Sequence, residues 1–146
     1  MKCPICNFQD TKVIDSRAAS DNLSIRRRRE CLKCNFRFST YEEVEILDLT
    51  VVKRDGRKEV YNREKLVKGL KRAFEKRPIT DEKFRKLIGL IERDIQILRK
   101  NEIISATIGQ IVMKQLKKVD QVAYIRFASV YQSFKDAQTF KRELNK

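Results

Sequence analysis

The chain has 146 residues, 41% hydrophobic and 37% charged, and its 34 Lys and Arg against 20 Asp and Glu give a formal net charge of +14. That balance supports a folded core and points to a polyanionic partner, and no apolar run approaches the roughly 18 residues of a membrane-spanning helix. With no His in the chain, Ser-His, Cys-His and His-metal catalytic arrangements are excluded. The opening MKCPICNFQD has no apolar region behind Lys2. No secretory signal is therefore expected, and the reading is of a cytoplasmic protein with reduced cysteines.

The charge is unevenly placed. Residues 1–48 carry 9 basic and 8 acidic groups, whereas residues 49–146 carry 25 and 12, so two parts are implied. In the first, Arg17, Arg26, Arg27, Arg28, Arg29, Lys33 and Arg37 are opposed between positions 17 and 37 only by Asp21 and Glu30, and acids gather from Glu42 to Asp48. We therefore divide the chain into a first domain at 1–44, a short acidic linker at 45–48, a second domain at 49–139 and a tail at 140–146 that frays from about Arg142. No repeat or low-complexity tract is expected.

A segment of about 40 residues with only short apolar stretches cannot hold itself together by burial alone and calls for disulfides or a metal. Cys3-Pro-Ile-Cys6 and Cys31-Leu-Lys-Cys34, separated by 24 residues, can present four thiolates to one tetrahedral zinc ion, because each short turn points two sulfurs at the same place. A redox CxxC pair or two disulfides are the alternatives; the absence of a βαβ pattern and the inferred compartment weigh against them. With four protein ligands no open position remains for catalysis, so zinc, one per chain, is read as structural.

SIRRRREC, at 24–31, places four guanidinium groups on a strand or its edge. Such a run is often only a solvated face, but on a metal-held ribbon, with Arg17 and Arg37 on flanking segments, it suits the phosphates and guanine edges of a nucleic acid. Beyond it, EILDLTVVK and KEVYN read as two strands joined at Asp55-Gly56, a hairpin signal. Lys53 and Arg54 before that turn, with Arg63 and Lys65 at the start of the next helix, can surround a polyphosphate. As chemistry alone this is a weak signal, since it is neither GxxxxGKT nor GxGxxG.

Four helices are expected after the hairpin. The first carries Leu66, Leu70, Ala73 and Phe74 and ends at Pro78. The second starts near Thr80 or Asp81 and carries Phe84, Leu87, Ile88, Ile91, Ile95 and Leu98. A break near Asn101 precedes a third helix from Ser105 or Thr107, with Ile108, Ile111, Val112, Leu116 and Val119. Asp120 caps a fourth, bearing Val122, Ile125, Phe127, Ala128, Tyr131 and Phe134. The fold class is α+β, a small N-terminal β zinc ribbon followed by a mostly helical domain.

CPIC at the N-terminus, TKVIDSR at 11–17, SIRRRREC at 24–31, FRFSTYE at 36–42, VVKRDG at 51–56 and VAYIRFASVYQSF at 122–134 together resemble the NrdR family of bacterial repressors of ribonucleotide reductase genes. The second domain then resembles an ATP-cone, a hairpin with about four helices that senses adenine nucleotides. The resemblance implies that Cys3, Cys6, Cys31 and Cys34 hold zinc, and that Arg17 and Arg26 to Arg29 face DNA, to which we add Arg37. It implies that Lys53, Arg54 and Lys65 bind phosphate, that Val51, Val52 and Glu59 lie near the nucleotide, and that Tyr131 is an aromatic beside it. On spacing alone, Tyr131 reads as core packing. The implied function is a zinc-dependent repressor, not an enzyme, in which ATP or dATP controls homo-oligomerisation and the binding of double-stranded operator DNA. Two rivals remain: a relative of ribonucleotide reductase itself, which the chain is too short to be, and a zinc-ribbon RNA-binding protein using the same basic surface.

Overall fold

Between the two Cys pairs, the β-branched and long side chains of TKVIDSRA, SIRRRREC and RFSTYEE form three antiparallel strands, β1 (Thr11–Ala18), β2 (Ser24–Cys31) and β3 (Arg37–Glu43), in the order β1-β2-β3. A register shift between Val13 and Asp15 marks a bulge in β1. The computed structural model describes residues 1–19, 24–46, 48–132 and 136–144. Asp21, Leu47 of the expected linker, Phe134 of the expected fourth helix and residues 145–146 of the expected tail lie outside them.

The chain divides into two units, Met1–Glu45 and Ile46–Lys146. The first holds almost no hydrophobic core among its described residues: of the apolar ones only Cys3 and Cys31 are buried, while Ile5, Val13, Ile14, Ile25, Leu32, Phe36 and Tyr41 are exposed. Its strands need another source of stability.

The second unit has its own core. It opens with β4 (Thr50–Val52), the turn Lys53–Gly56 and β5 (Lys58–Val60). The Lys53 carbonyl accepts from Gly56 N–H at 3.0 Å, and Gly56 sits at φ 85°, the left-handed position that glycine fills without a steric penalty in a bulged hairpin loop. A third strand, β6 (Glu102–Ile104), runs parallel to β4 with Val51 opposite Ile103. It lies where only a break was expected, since three residues carry no readable periodicity.

Helix α1 (Arg63–Ala73) is capped by Asn62, whose side chain accepts from Lys65 N–H. It ends four residues before Arg77, not at Pro78, because Lys76 adopts φ 59°; Arg126 donates to the Ala73 and Glu75 carbonyls left open there. Thr80 caps α2 (Asp81–Ile97), and Asp120 caps α4 (Gln121–Gln132) by accepting from Ala123 N–H at 2.9 Å. Arg77 also clamps Asp120, at 2.8 Å. Between them, α3 (Ser105–Val119) has no side-chain cap.

Leu70, Ala73 and Phe74 of the α1 end, Leu87, Ile88, Ile91 and Ile95 of α2, Val112 and Leu116 of α3, and Ala123 and Tyr124 of α4 pack together with Leu49 and Ile103. Leu98, Val119 and Val122, expected on the apolar stripes, are exposed because they sit at helix ends. The fourth helix is described as far as Gln132, and a fifth, α5 (Ala137–Leu144), occupies residues expected to form mostly tail. Buried Glu92 accepts from the Tyr61 hydroxyl at 3.1 Å and pairs with Arg63 at 3.3 Å, tying the start of α1 to α2. Desolvation by burial, and then the Glu92 charge, push the Tyr61 phenol well above its ordinary pKa.

Two helical glycines face opposite outcomes. A Cβ on Gly109 would run into the Tyr131 ring, whereas one on Gly69 would meet Phe127 at an ordinary 3.8 Å. Gly109→Ala is predicted to destabilise the second unit by about 1–3 kcal/mol through overpacking. Gly69→Ala is predicted to stabilise it by roughly 0.5–1 kcal/mol through helix propensity. Denaturant midpoints of the two variants check both signs.

Candidate functional site

The two knuckles share a local sequence, CPICNF at 3–8 and CLKCNF at 31–36, a short repeat that the expectation of no repeats overlooked. They share a conformation too. Asn7 and Asn35 both lie at φ 55°, where Asn is tolerated better than most residues. Cys3 N–H donates to the Phe8 carbonyl at 2.9 Å and Cys31 N–H to that of Phe36 at 3.0 Å. The four sulfurs all lie within 4.8 Å of one another, with Cys3 to Cys34 at 3.7 Å and Cys6 to Cys31 at 3.6 Å. A tetrahedral ion with Zn–S bonds of ~2.3 Å has edges of ~3.8 Å, so the donor set fits zinc. Backbone N–H groups aid ionisation: those of Cys34 first, then Lys33, draw the Cys31 thiol down to about 6, against the rise caused by burial. Cys3 is likewise lowered, chiefly by the Cys6 N–H.

The arginine run divides by the parity of its residues. Residues paired directly across an antiparallel sheet share a face. On one face Arg26 lies between Arg17 and Tyr41, Arg28 between Asp15 and Ser39, and Glu30 between Lys12 and Arg37. On the other, Arg27 lies between Ser16 and Thr40, and Arg29 between Val13 and Phe38. Arg26 and Arg28 are exposed; Arg27 and Arg29 are half-buried. Arg27 pairs with Glu42 at 2.8 Å and donates to Ser16, and Arg29 donates to Thr11. Glu30 is buried and holds Lys12 at 2.8 Å and Arg37 at 2.6 Å, and these two cations, Lys12 first, keep its carboxyl below the usual range.

In the second unit the nucleotide residues inferred from the sequence fall into two groups. Glu59 joins Lys53 at 2.8 Å and Lys65 at 2.9 Å; the two ammonium groups, Lys53 first, hold its carboxyl below the usual range. Around the other group is a cavity of about 960 Å³, lined by Lys53, Arg54 and Tyr131 together with Arg72, Lys76 and Arg126. Arg54 donates to the Tyr131 carbonyl at 2.7 Å, and its guanidinium lies 5.4 Å from the Tyr131 ring centre. The Tyr131 hydroxyl donates to the Ala106 carbonyl at 2.6 Å, and Phe127 stacks on its ring. Val51 is buried, and Val51, Val52, Glu59 and Lys65 do not line this cavity.

The sequence reading missed Arg72, Lys76, Arg126 and Phe127. A signal for the first two existed in the cluster of cations at and just beyond the end of α1, LKRAFEKR. The cavity combines cations with the apolar walls of Phe127, Val130 and Tyr131, a surface suited to an anion that also carries a flat ring.

Residues 1–42 match the family described as "Transcriptional repressor NrdR-like, N-terminal domain", and residues 49–137 match the "ATP cone domain". A transcriptional repressor NrdR of Thermoanaerobacter sp. strain X514 is 54% identical over 146 residues, covering 100% of this chain and 92% of the relative. The chain belongs to the NrdR family of transcriptional repressors. NrdR proteins of Finegoldia magna, 48% identical over 146 residues, and Limosilactobacillus fermentum, 50% identical over 144, cover 100% and 99% of this chain and 97% and 95% of their own lengths. The NrdR relatives are named as repressors, not enzymes. Like them, the chain joins a zinc ribbon, whose four cysteines can hold one zinc ion, to an ATP cone. Among the described residues no helix is long and apolar enough to cross a membrane.

Because so little of the ribbon is buried, metal removal is predicted to expose β1 to β3. Under reducing conditions a chelator should collapse amide-exchange protection across residues 11–43 and leave that of α1 to α4 unchanged. Protection of the strands that survives complete zinc removal would contradict this assignment.

Proposed function

We propose that this protein represses ribonucleotide reductase genes in the cytoplasm by binding their operator DNA through the ribbon, and that ATP or dATP in the cone sets its oligomeric state and thereby its hold on DNA. In this reading Cys3, Cys6, Cys31 and Cys34 bind zinc, and the DNA-binding set is drawn from Arg17, Arg26 to Arg29 and Arg37. Lys53, Arg54, Lys65 and Tyr131 hold the nucleotide, with Val51, Val52 and Glu59 as the hairpin framework around it. The functional division follows residues 1–44 and 49–139.

The observation that supports it most is the pairing, in one chain, of a cationic cavity walled by an aromatic pair in the cone with an arginine-bearing sheet in the ribbon. Two such surfaces suit two polyanions, and likeness over the whole chain to named repressors supports a role for both in gene control. A nucleotide can alter DNA binding only if it binds two assemblies with different affinity. The hairpin is the element placed to report the difference, since Arg54 at its tip grips the Tyr131 carbonyl.

DNA from the promoter region of the organism's reductase genes is predicted to bind roughly tenfold or more tightly with dATP than with ATP at matched concentration, the ordinary size of such couplings. Mass measured by light scattering should change between the two nucleotides. Lys53→Ala is predicted to weaken both nucleotides and abolish the difference. Equal DNA affinity and equal mass with the two nucleotides would remove the sensing half of the proposal.

A further inference from the structure

The four arginines of β2 are equivalent in the sequence and not in the structure. On the Arg27 and Arg29 face, the guanidinium groups are half-buried and committed to Glu42, Ser16 and Thr11. On the opposite face, Arg17 pairs with Asp15 at 2.9 Å, Arg37 with Glu30, and Arg26 donates to Ser39 at 3.3 Å. Arg28 is exposed, and its side chain makes no hydrogen bond or ion pair among the described residues.

We infer that Arg28 reads a base edge and that its face of the sheet is the one that meets the duplex, with Arg17, Arg26 and Arg37 on phosphates. This rests on the reading of the ribbon as the DNA-binding part.

Position supports it first. Arg28 stands on the central strand, between Asp15 of β1 and Ser39 of β3. Neighbouring strands lie ~4.8 Å apart, so the outer strands are separated by ~10 Å, close to the ~12 Å width of the major groove. A sheet facing that groove places the cations of its outer strands, Arg17 and Arg37, toward the phosphates on the two rims and the middle of its central strand toward the bases. Tyr41 adds an aromatic group beside Arg26 on the same face.

Chemistry supports it second. A guanidinium with all five donors free can give two parallel hydrogen bonds to O6 and N7 of guanine, the commonest specific contact in the major groove. Phosphate contacts hold the protein on DNA of any sequence, whereas base-edge contacts choose the sequence. Arg27 has already spent donors on Glu42 and Ser16 and lies on the other side of the sheet, so it maintains the ribbon and reads nothing.

Arg28→Lys separates the two roles, because lysine retains the charge and loses the planar fork. The experiment compares full-length zinc-loaded protein with dATP on a promoter duplex from the organism's reductase genes and on a scrambled duplex of the same length, over a salt series. Wild type should prefer the promoter duplex. In Arg28→Lys that preference should fall roughly tenfold or more, the loss expected from one bidentate base contact. Its affinity for the scrambled duplex, its salt slope and its zinc content should stay within about twofold of wild type. Ser16→Ala, the control on the opposite face, should keep the preference. An Arg28→Lys protein that holds zinc and still prefers the promoter overturns the inference, as does loss of preference in Ser16→Ala alone. Wild type with no preference would instead overturn the operator reading on which the inference stands.

Discussion

Four sulfurs within 4.8 Å of one another are the constraint on which the ribbon depends. In an ordinary domain the sheet would be fixed by burying one face, but here Val13, Ile25 and Tyr41 remain exposed and, among the described residues, the buried positions of the unit are Cys3, Ser24, Glu30 and Cys31. Metal ligation supplies what burial cannot in so short a segment. Because Cys31 ends β2 and the first knuckle leads into β1, closing the tetrahedron also fixes how those two strands meet. It therefore fixes which arginines share a face. Glu30, one residue before the ligand Cys31, anchors Lys12 and Arg37 from the outer strands, so the same end of the sheet carries both the metal and its strongest ionic cross-links.

The second half is organised on the opposite principle. Its helices bury a continuous core, and its short hairpin is held at both ends by polar contacts. At the base, Tyr61 and Arg63 meet buried Glu92; at the tip, Arg54 meets Tyr131. Between them, Glu59 keeps Lys53 and Lys65 together as a compact cationic cluster. A buried carboxylate partnered on two sides is costly to disturb, whereas the exposed contacts of the hairpin tip are cheap to exchange for an anionic ligand. The hairpin can thus respond at its tip while its base stays in register.

Much of this was legible in the sequence, for identifiable reasons. CxxC spacing reports metal geometry directly, and the stripes from Leu66 to Phe74 and from Phe84 to Ile95 report helices because their period is sustained. Asp120 was readable as a cap from its place before an apolar helix. The rest depends on partners distant in the chain. β6 has three residues and exists by parallel pairing with β4. Arg126 reaches the Ala73 and Glu75 carbonyls, at and just past the end of α1, more than fifty positions away, so no local pattern marks it as part of the cavity wall. SIRRRREC read as a strand, but which of its arginines share a face follows from its register with Ser16 and Thr40. Tyr131 on spacing alone resembled core packing, and it does seat against Gly109; its contact with Arg54 appears only once the hairpin is folded over α4.

The net charge of +14 accordingly describes two surfaces. One is an arginine face displayed by a metal-closed sheet, and the other a cavity in a unit with a hydrophobic core of its own. The reliance of the first on zinc, and the folding of the second without it, are tested most directly by withdrawing the metal from the DNA-bound, nucleotide-loaded protein with a chelator under reducing conditions, while zinc release, DNA retention and bound nucleotide are followed on one sample. The account predicts that DNA is released in proportion to zinc and that the nucleotide stays bound. A chain that has lost its zinc and still holds the promoter duplex would contradict it.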